Sequence, residues 1–174
     1  MFILIGVYLL LQLPLIDTIP AIMVDEPWYA NTAWNFIKGN GFINTVPGSH
    51  GGDDLFLFTF LLGVVFKLLG TSLLTARLVS VLGGLLGLIG FFKILKLLEV
   101  KSKLIILICG LMFIFSNVNY IIFRSVRPDS WIVALGIWAL YFLIKGLRTD
   151  KEVNYLFCGL ISSAGFLCHP HGAL

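Results

Sequence analysis

Residues 104–123 read LIILICGLMFIFSNVNYIIF, twenty consecutive positions without a charged side chain. At a rise of ~1.5 Å per residue, a helix of that length covers the ~30 Å hydrocarbon core of a bilayer. The rest of the chain agrees with that reading. Apolar residues make up 59% of it and charged residues 12%, about half the charge of an ordinary soluble domain, and mean hydropathy is +1.00. This composition predicts an all-α integral membrane protein, since a single segment in lipid must satisfy its own backbone hydrogen bonds. The net charge of +3 is too small to suggest a nucleic-acid partner. Cys109, Cys158 and Cys168 all lie in apolar runs, without a disulfide framework or zinc spacing.

Outward from that stretch, four more segments read as spans: 2–23, 73–98, 131–144 with its flanks, and 153–168. Pro14 and Asp17 interrupt the first, so its outer third is expected to pack against protein or lie in the interface. It has no basic start and no small-residue cleavage site, and is read as a retained anchor. Two further helices are expected at the membrane surface. In the first, Ala30, Ala33, Trp34 and Ile37 fall at i, i+3, i+4 and i+7, ahead of a stop at Gly39-Asn40-Gly41. The second covers 55–69, about 15 residues, apolar except for Thr59 and Lys67 and short for a crossing.

Charge parity decides that last segment. If 55–69 stays in the interface, the loops 93–103 and 145–151, with seven Lys or Arg between them, share one side. The positive-inside rule makes that side cytoplasmic. Asp25-Glu26, His50, Arg77, the 124–129 turn and His169 to His171 then share the extracytoplasmic face. The expected architecture is a polytopic helical bundle of about five transmembrane helices and two extracytoplasmic interfacial helices, one domain over residues 1–174. The chain ends on an apolar stretch and is expected to be the N-terminal part of a longer module.

The acidic pair Asp25-Glu26, followed by Pro27-Trp28-Tyr29, is the most costly feature to hold beside lipid and so a candidate site. Its plain alternative is a helix start with Pro27 in the first turn. Arg77, Arg124 and Arg127 are candidate phosphate ligands, because a guanidinium fork fits phosphate geometry. Arg77 could equally snorkel, and the 124–127 pair could equally answer Asp129. Trp28 and Tyr29 could stack on a sugar ring, whereas Trp131 reads as an interfacial belt residue. Gly83, Gly84, Gly87 and Gly90 suggest close approach of a neighbouring helix.

The ordered set resembles a family. An acidic pair after the first span, a surface helix ending in Gly, a second short helix, Gly70-Thr-Ser-Leu-Leu-Thr-Ala-Arg77-Leu and Arg124-Ser-Val-Arg127-Pro-Asp129 are similar to the N-terminal part of GT-C-type glycosyltransferases. The set is similar to the protein O-mannosyltransferases and the lipid A aminoarabinose transferases (the family 39 type). The resemblance implies a polyprenyl-phosphate-linked sugar donor, an extracytoplasmic active face at a plasma or inner membrane, and an acceptor that is protein, lipid or polysaccharide. It also implies Asp25 as catalytic base with Glu26 beside it. The chemistry of the residues gathered at that face, apart from the resemblance, makes Trp28, Tyr29, His50, Arg77, Arg124, Arg127 and Asp129 the expected substrate-binding residues. Ser49-His50-Gly51-Gly52-Asp53-Asp54-Leu55 departs from the family's Pro-Pro-Leu pattern, so a phosphate-binding lysine does not carry over to this loop. No cofactor is firmly implied. For a divalent metal the candidates are His169 and His171, and two histidines alone are weak support for one. The competing class is a non-catalytic transporter or lipid-carrier-binding subunit, which would place its ionisable groups near mid-membrane on broken helices.

Overall fold

The computed structural model describes residues 1–48 and 56–173. Among them are eight α-helices and no β-strand: α1 (Phe2–Gln12), α2 (Glu26–Ile37), α3 (Leu57–Leu69), α4 (Leu73–Leu97), α5 (Lys103–Phe115), α6 (Asn117–Ile122), α7 (Asp129–Thr149) and α8 (Glu152–Cys168). A 3₁₀ turn, Pro170–Ala173, closes the described chain.

Two helices, α4 and α7, are long and apolar enough to cross a membrane, about 37 and 31 Å at the helical rise. The other apolar helices are shorter, for local reasons. α1 stops at Gln12, just before Pro14, and residues 13–25 run on as turns. The 104–123 run breaks at Ser116, whose hydroxyl caps α6 by accepting from the Asn119 amide, while the Asn119 side chain donates to Phe113 O at 2.8 Å. Such local side-chain bonds offer the backbone an alternative to an unbroken helix.

The helix α4 is the axis of the fold. Its small residues let α7 lie beside it in parallel: a Cβ built on Gly83 would sit 2.9 Å from Ser130 Oγ, and one on Gly90 2.9 Å from Ile137 Cγ2. Two indoles tie the seam. Trp131 Nε1 donates to Val79 O at 3.0 Å and Trp138 Nε1 to Leu86 O at 3.1 Å. Trp131 is therefore a half-buried seam residue, beyond the belt role its position suggests. On the other side of α4, Tyr8 of α1 donates to Val81 O at 2.8 Å, and Gly84 faces Tyr8 and Phe123. Gly110 of α5 approaches Leu4 and Phe92. The helix α8 returns antiparallel along α7, with Gly146 against Tyr155 and Gly165 against Leu135.

These pairings fix the ends. α1 ends and α4 begins at the same end of the bundle, so α2, α3 and their loops add no net traverse. At the other end Arg148 of α7 donates to Leu97 O and lies 3.4 Å from Glu99, which brings the two lysine-rich loops together. α2 packs on α3 through Ala33 and Gly63. Its polar side is also covered, because the Asn35 amide donates to Asn31, Ile43 O and Thr45. On the apolar side of α2, Ala33 is buried whereas Trp34 is exposed.

Candidate functional site

The site is assembled at the end where α1 finishes. Residues 13–25 make only scattered turn bonds of their own, such as Ile16 N–H to Leu13 O and Ile19 N–H to Leu15 O, and two arginines bind carbonyls that those turns leave over. Arg77, in the first turns of α4, donates from Nη1 to Ile16 O (2.8 Å) and Pro20 O (2.9 Å). Arg124, after α6, donates to Ile19 O (3.0 Å), Leu11 O (2.7 Å) and Pro14 O (2.6 Å). Both guanidiniums are essentially inaccessible, at 0% and 1% exposure. A buried guanidinium needs such partners to offset the water it has lost.

The acidic pair then divides. Glu26, 2% exposed, accepts a bidentate fork from Arg77: Nε to Oε2 at 2.9 Å and Nη2 to Oε1 at 2.8 Å. Its oxygens also accept from the Met23 amide at 2.9 Å and the Val126 amide at 3.0 Å. Burial pushes this carboxyl's pKa up, but the Arg77 hydrogen bond, the two amides and the Arg77 charge outweigh it and hold the group below its ordinary range. Glu26 thus joins α2, α4 and the α6–α7 turn in one buried knot.

Asp25 takes the other direction. It stands at the N-cap of α2 but makes no side-chain capping bond. Its Oδ2 lies 3.2 Å from Arg127 Nη1, and Arg127 Nε lies 2.9 Å from Asp129 Oδ2. This chain of three charges is accessible, with Asp25 at 42% and Arg127 at 34% exposure. Burial would lower the Arg127 pKa, but the charge of Asp129, its hydrogen bond and the charge of Asp25 raise it further, so the guanidinium stays cationic. Trp28 is partly exposed in the first turn of α2. Tyr29 meets Phe58 edge-on at 5.5 Å. Beside the knot, between α2, α3 and α4, lies an apolar cavity of about 260 Å³ lined by Ile22, Pro27, Ala30, Phe66 and Ala76.

The structure therefore brings Asp25, Glu26, Trp28, Tyr29, Arg77, Arg124, Arg127 and Asp129 to one end. Arg77 and Arg124 are engaged by the protein itself, which leaves Arg127 as the accessible arginine of the three. His50 lies outside the described residues, as does the 49–55 loop. His169 ends α8 at the same end of the bundle, and the His171 side chain is likewise not described. Among the described residues no group of three or more His, Cys, Asp or Glu is placed to hold a metal ion. The sequence reading missed the carbonyls of residues 11–20. Backbone acceptors carry no residue signature, although two arginines beside a proline-interrupted span were a hint.

Comparison with known families decides the class. The family model for dolichyl-phosphate-mannose-protein mannosyltransferase matches residues 53–174. The chain belongs to that family. It is a membrane glycosyltransferase of the GT-C type. The matched stretch includes Arg77, Arg124, Arg127 and Asp129, and begins after the acidic pair. What ties Asp25 and Glu26 to the family's region is the geometry: Glu26 is bound by Arg77, and Asp25 is paired with Arg127. No curated protein and no solved structure matches the chain.

Proposed function

We propose that this glycosyltransferase moves a sugar from a polyprenyl phosphate to a hydroxyl-bearing acceptor at the extracytoplasmic face of a plasma or inner membrane, with Asp25 as general base. The observation that carries the reading is the division of the acidic pair. Glu26 is buried and fully bonded, while Asp25 is accessible, uncommitted to capping, and next to an accessible arginine. In this reading α1, α4, α5 with α6, α7 and α8 form five crossings, and α2 and α3 lie in the outer interface.

The reaction is a displacement at the sugar's anomeric carbon. The acceptor oxygen forms a bond to that carbon as the bond to the phosphate oxygen breaks. The acceptor's proton passes to an Asp25 carboxylate oxygen. The electron pair of the broken bond stays on the phosphate, a good leaving group that needs charge stabilisation more than a proton. Arg127 supplies it, held in place by Asp129. The apolar cavity beside α2 accommodates the first isoprene units. Arg77, Arg124 and Glu26 hold the 13–25 segment, and with it Asp25, in position. The transporter reading finds no support in this arrangement, since the ionisable groups gather at the two ends of the bundle.

The test is Asp25→Asn in the full-length protein, assayed for sugar transfer and for donor-lipid binding. Asn keeps the size of Asp but cannot accept the proton. Losing the exposed pair with Arg127 costs about 0–1 kcal/mol at most, so the variant folds. Turnover is expected to fall on the order of 100-fold or more with donor binding little changed, whereas Arg127→Ala weakens donor binding. Near-normal transfer by Asp25→Asn removes Asp25 from the chemistry.

A further inference from the structure

We propose a second binding site, at the opposite end of the bundle, that takes the headgroup of an anionic phospholipid. A cavity of about 460 Å³ opens there between the start of α1, the end of α4 and the start of α5. This falls within the ~300–1,000 Å³ usual for small-ligand clefts. Its floor is apolar, from Phe92, Leu95 and Ile106, and its mouth carries Lys96 and Lys101. Both lysines are exposed, and neither makes an ion pair among the described residues.

Glu99 also lines the cavity, and a carboxylate there would oppose an anion. It is answered from outside. Arg148 of α7 lies 3.4 Å from Glu99 Oε1 and also donates to Leu97 O. One cation thus offsets both the carboxylate and a carbonyl of α4's last turn, where the helix dipole is negative. The remaining α4 carbonyls near the mouth are capped too, since Glu99 N–H donates to Lys96 O and Val100 N–H to Leu95 O. The site is positive where a phosphate would sit and apolar below it. Alongside, Leu104 and Ile105 of α5 are exposed, continuing the apolar floor along the helix surface. That continuity favours a lipid over a free anion, because an acyl chain has somewhere to go. Basic pockets between membrane helices on the lysine-rich side suit such headgroups.

The experiment purifies the full chain from nanodiscs holding equal phosphatidylglycerol and phosphatidylcholine and counts retained lipids by native mass spectrometry. The parent should keep phosphatidylglycerol selectively. Lys96→Gln with Lys101→Gln should lower that retention about 30-fold, the product of two surface lysine contributions. Lys145→Gln with Lys151→Gln removes the same charge from the other loop at the same end and should leave retention within about threefold. Arg148→Gln, which frees Glu99 without touching the cavity, should weaken retention. Equal losses from both lysine pairs would mean a diffuse surface field and overturn the site. So would equal retention of the two lipids by the parent. Displacement of the lipid by millimolar inorganic phosphate would reassign the cavity to a free anion.

Discussion

Replacing Glu26 by Gln removes one negative charge and one acceptor oxygen from a knot in which every donor is committed. The carboxylate accepts four hydrogen bonds, two on each oxygen: Met23 N–H and Arg77 Nη2 on one, Val126 N–H and Arg77 Nε on the other. Glutamine keeps one pair. Whichever way the amide turns, its NH₂ faces the other two donors, and both lose their acceptor. Arg77, with no solvent access, is then a buried cation without a counter-charge. Breaking a buried pair from one side costs about 3–5 kcal/mol. For a chain of this length ~1 kcal/mol moves the melting temperature by about 2–4 °C, so a loss of roughly 6–20 °C is expected. Thermal unfolding in one detergent, followed by intrinsic fluorescence, measures it against Asp25→Asn, which should shift by no more than about 4 °C. A Glu26→Gln shift as small as that of Asp25→Asn would refute the division of the pair.

The same knot sets a pH dependence. The Glu26 pKa is lowered on folding, so its contribution is whole above the ordinary value of 4.5. It is lost as pH falls from there through the folded value. Parent and Glu26→Gln should converge in stability on acidification and differ most near neutrality.

Arg124→Gln deprives three carbonyls, Leu11, Pro14 and Ile19, of most of their donors. At about 1–3 kcal/mol for each unpaired buried group, it should destabilise the protein by roughly 3 kcal/mol or more in the same melt, and an effect under 1 kcal/mol would contradict the clamp. Gly84→Ala places a methyl 2.6 Å from Phe123 Cγ and against the Tyr8 hydroxyl; overpacking of about 1–3 kcal/mol is expected, whereas Gly136→Ala, with open space around it, should be neutral or gain helix propensity. For the sidedness of the bundle, single cysteines at the exposed Thr71 and Lys151 should label differently in intact cells. An impermeant thiol reagent should reach Thr71→Cys and spare Lys151→Cys, and the reverse pattern inverts the topology.

Much of this arrangement was legible in the residue pattern. Hydropathy and lysine asymmetry predict that α1 ends where α4 begins, and the Tyr8–Val81 and Arg77–Ile16 bonds place those ends accordingly. The glycines of α4 announce a close neighbour, and α7 fills that place. The parallel pairing of α4 with α7 was not legible. It depends on which face of α4 is left to α7 once α1 and α5 have packed. Nor did the periodicity of α2 separate its faces, because Asn31 and Asn35 bond to the chain's own Ile43 and Thr45 instead of water. Helix breaks were misjudged where apolar content was high: the amide of Asn119 turning back to Phe113 O is a local choice that hydropathy does not register.

The acidic pair marks where a sequence stops and geometry takes over. Adjacent residues at a helix start project about 100° apart, since 3.6 residues make a turn. Two neighbouring carboxylates therefore cannot both enter the same pocket. One must turn toward protein and the other toward solvent or substrate. The sequence presents Asp25 and Glu26 as equals, and even the presence of Arg77 and Arg127 does not say which arginine takes which acid. Glu26 has one more methylene than Asp25. The longer side chain reaches across to α4, where Arg77 is already committed to Ile16 and Pro20 and cannot come outward. The shorter one stays at the rim, where Arg127 and Asp129 come up from the α6–α7 turn. Exchanging the two acids, Asp25→Glu with Glu26→Asp, should disturb the buried fork more than the exposed pair, because only the fork requires that extra reach.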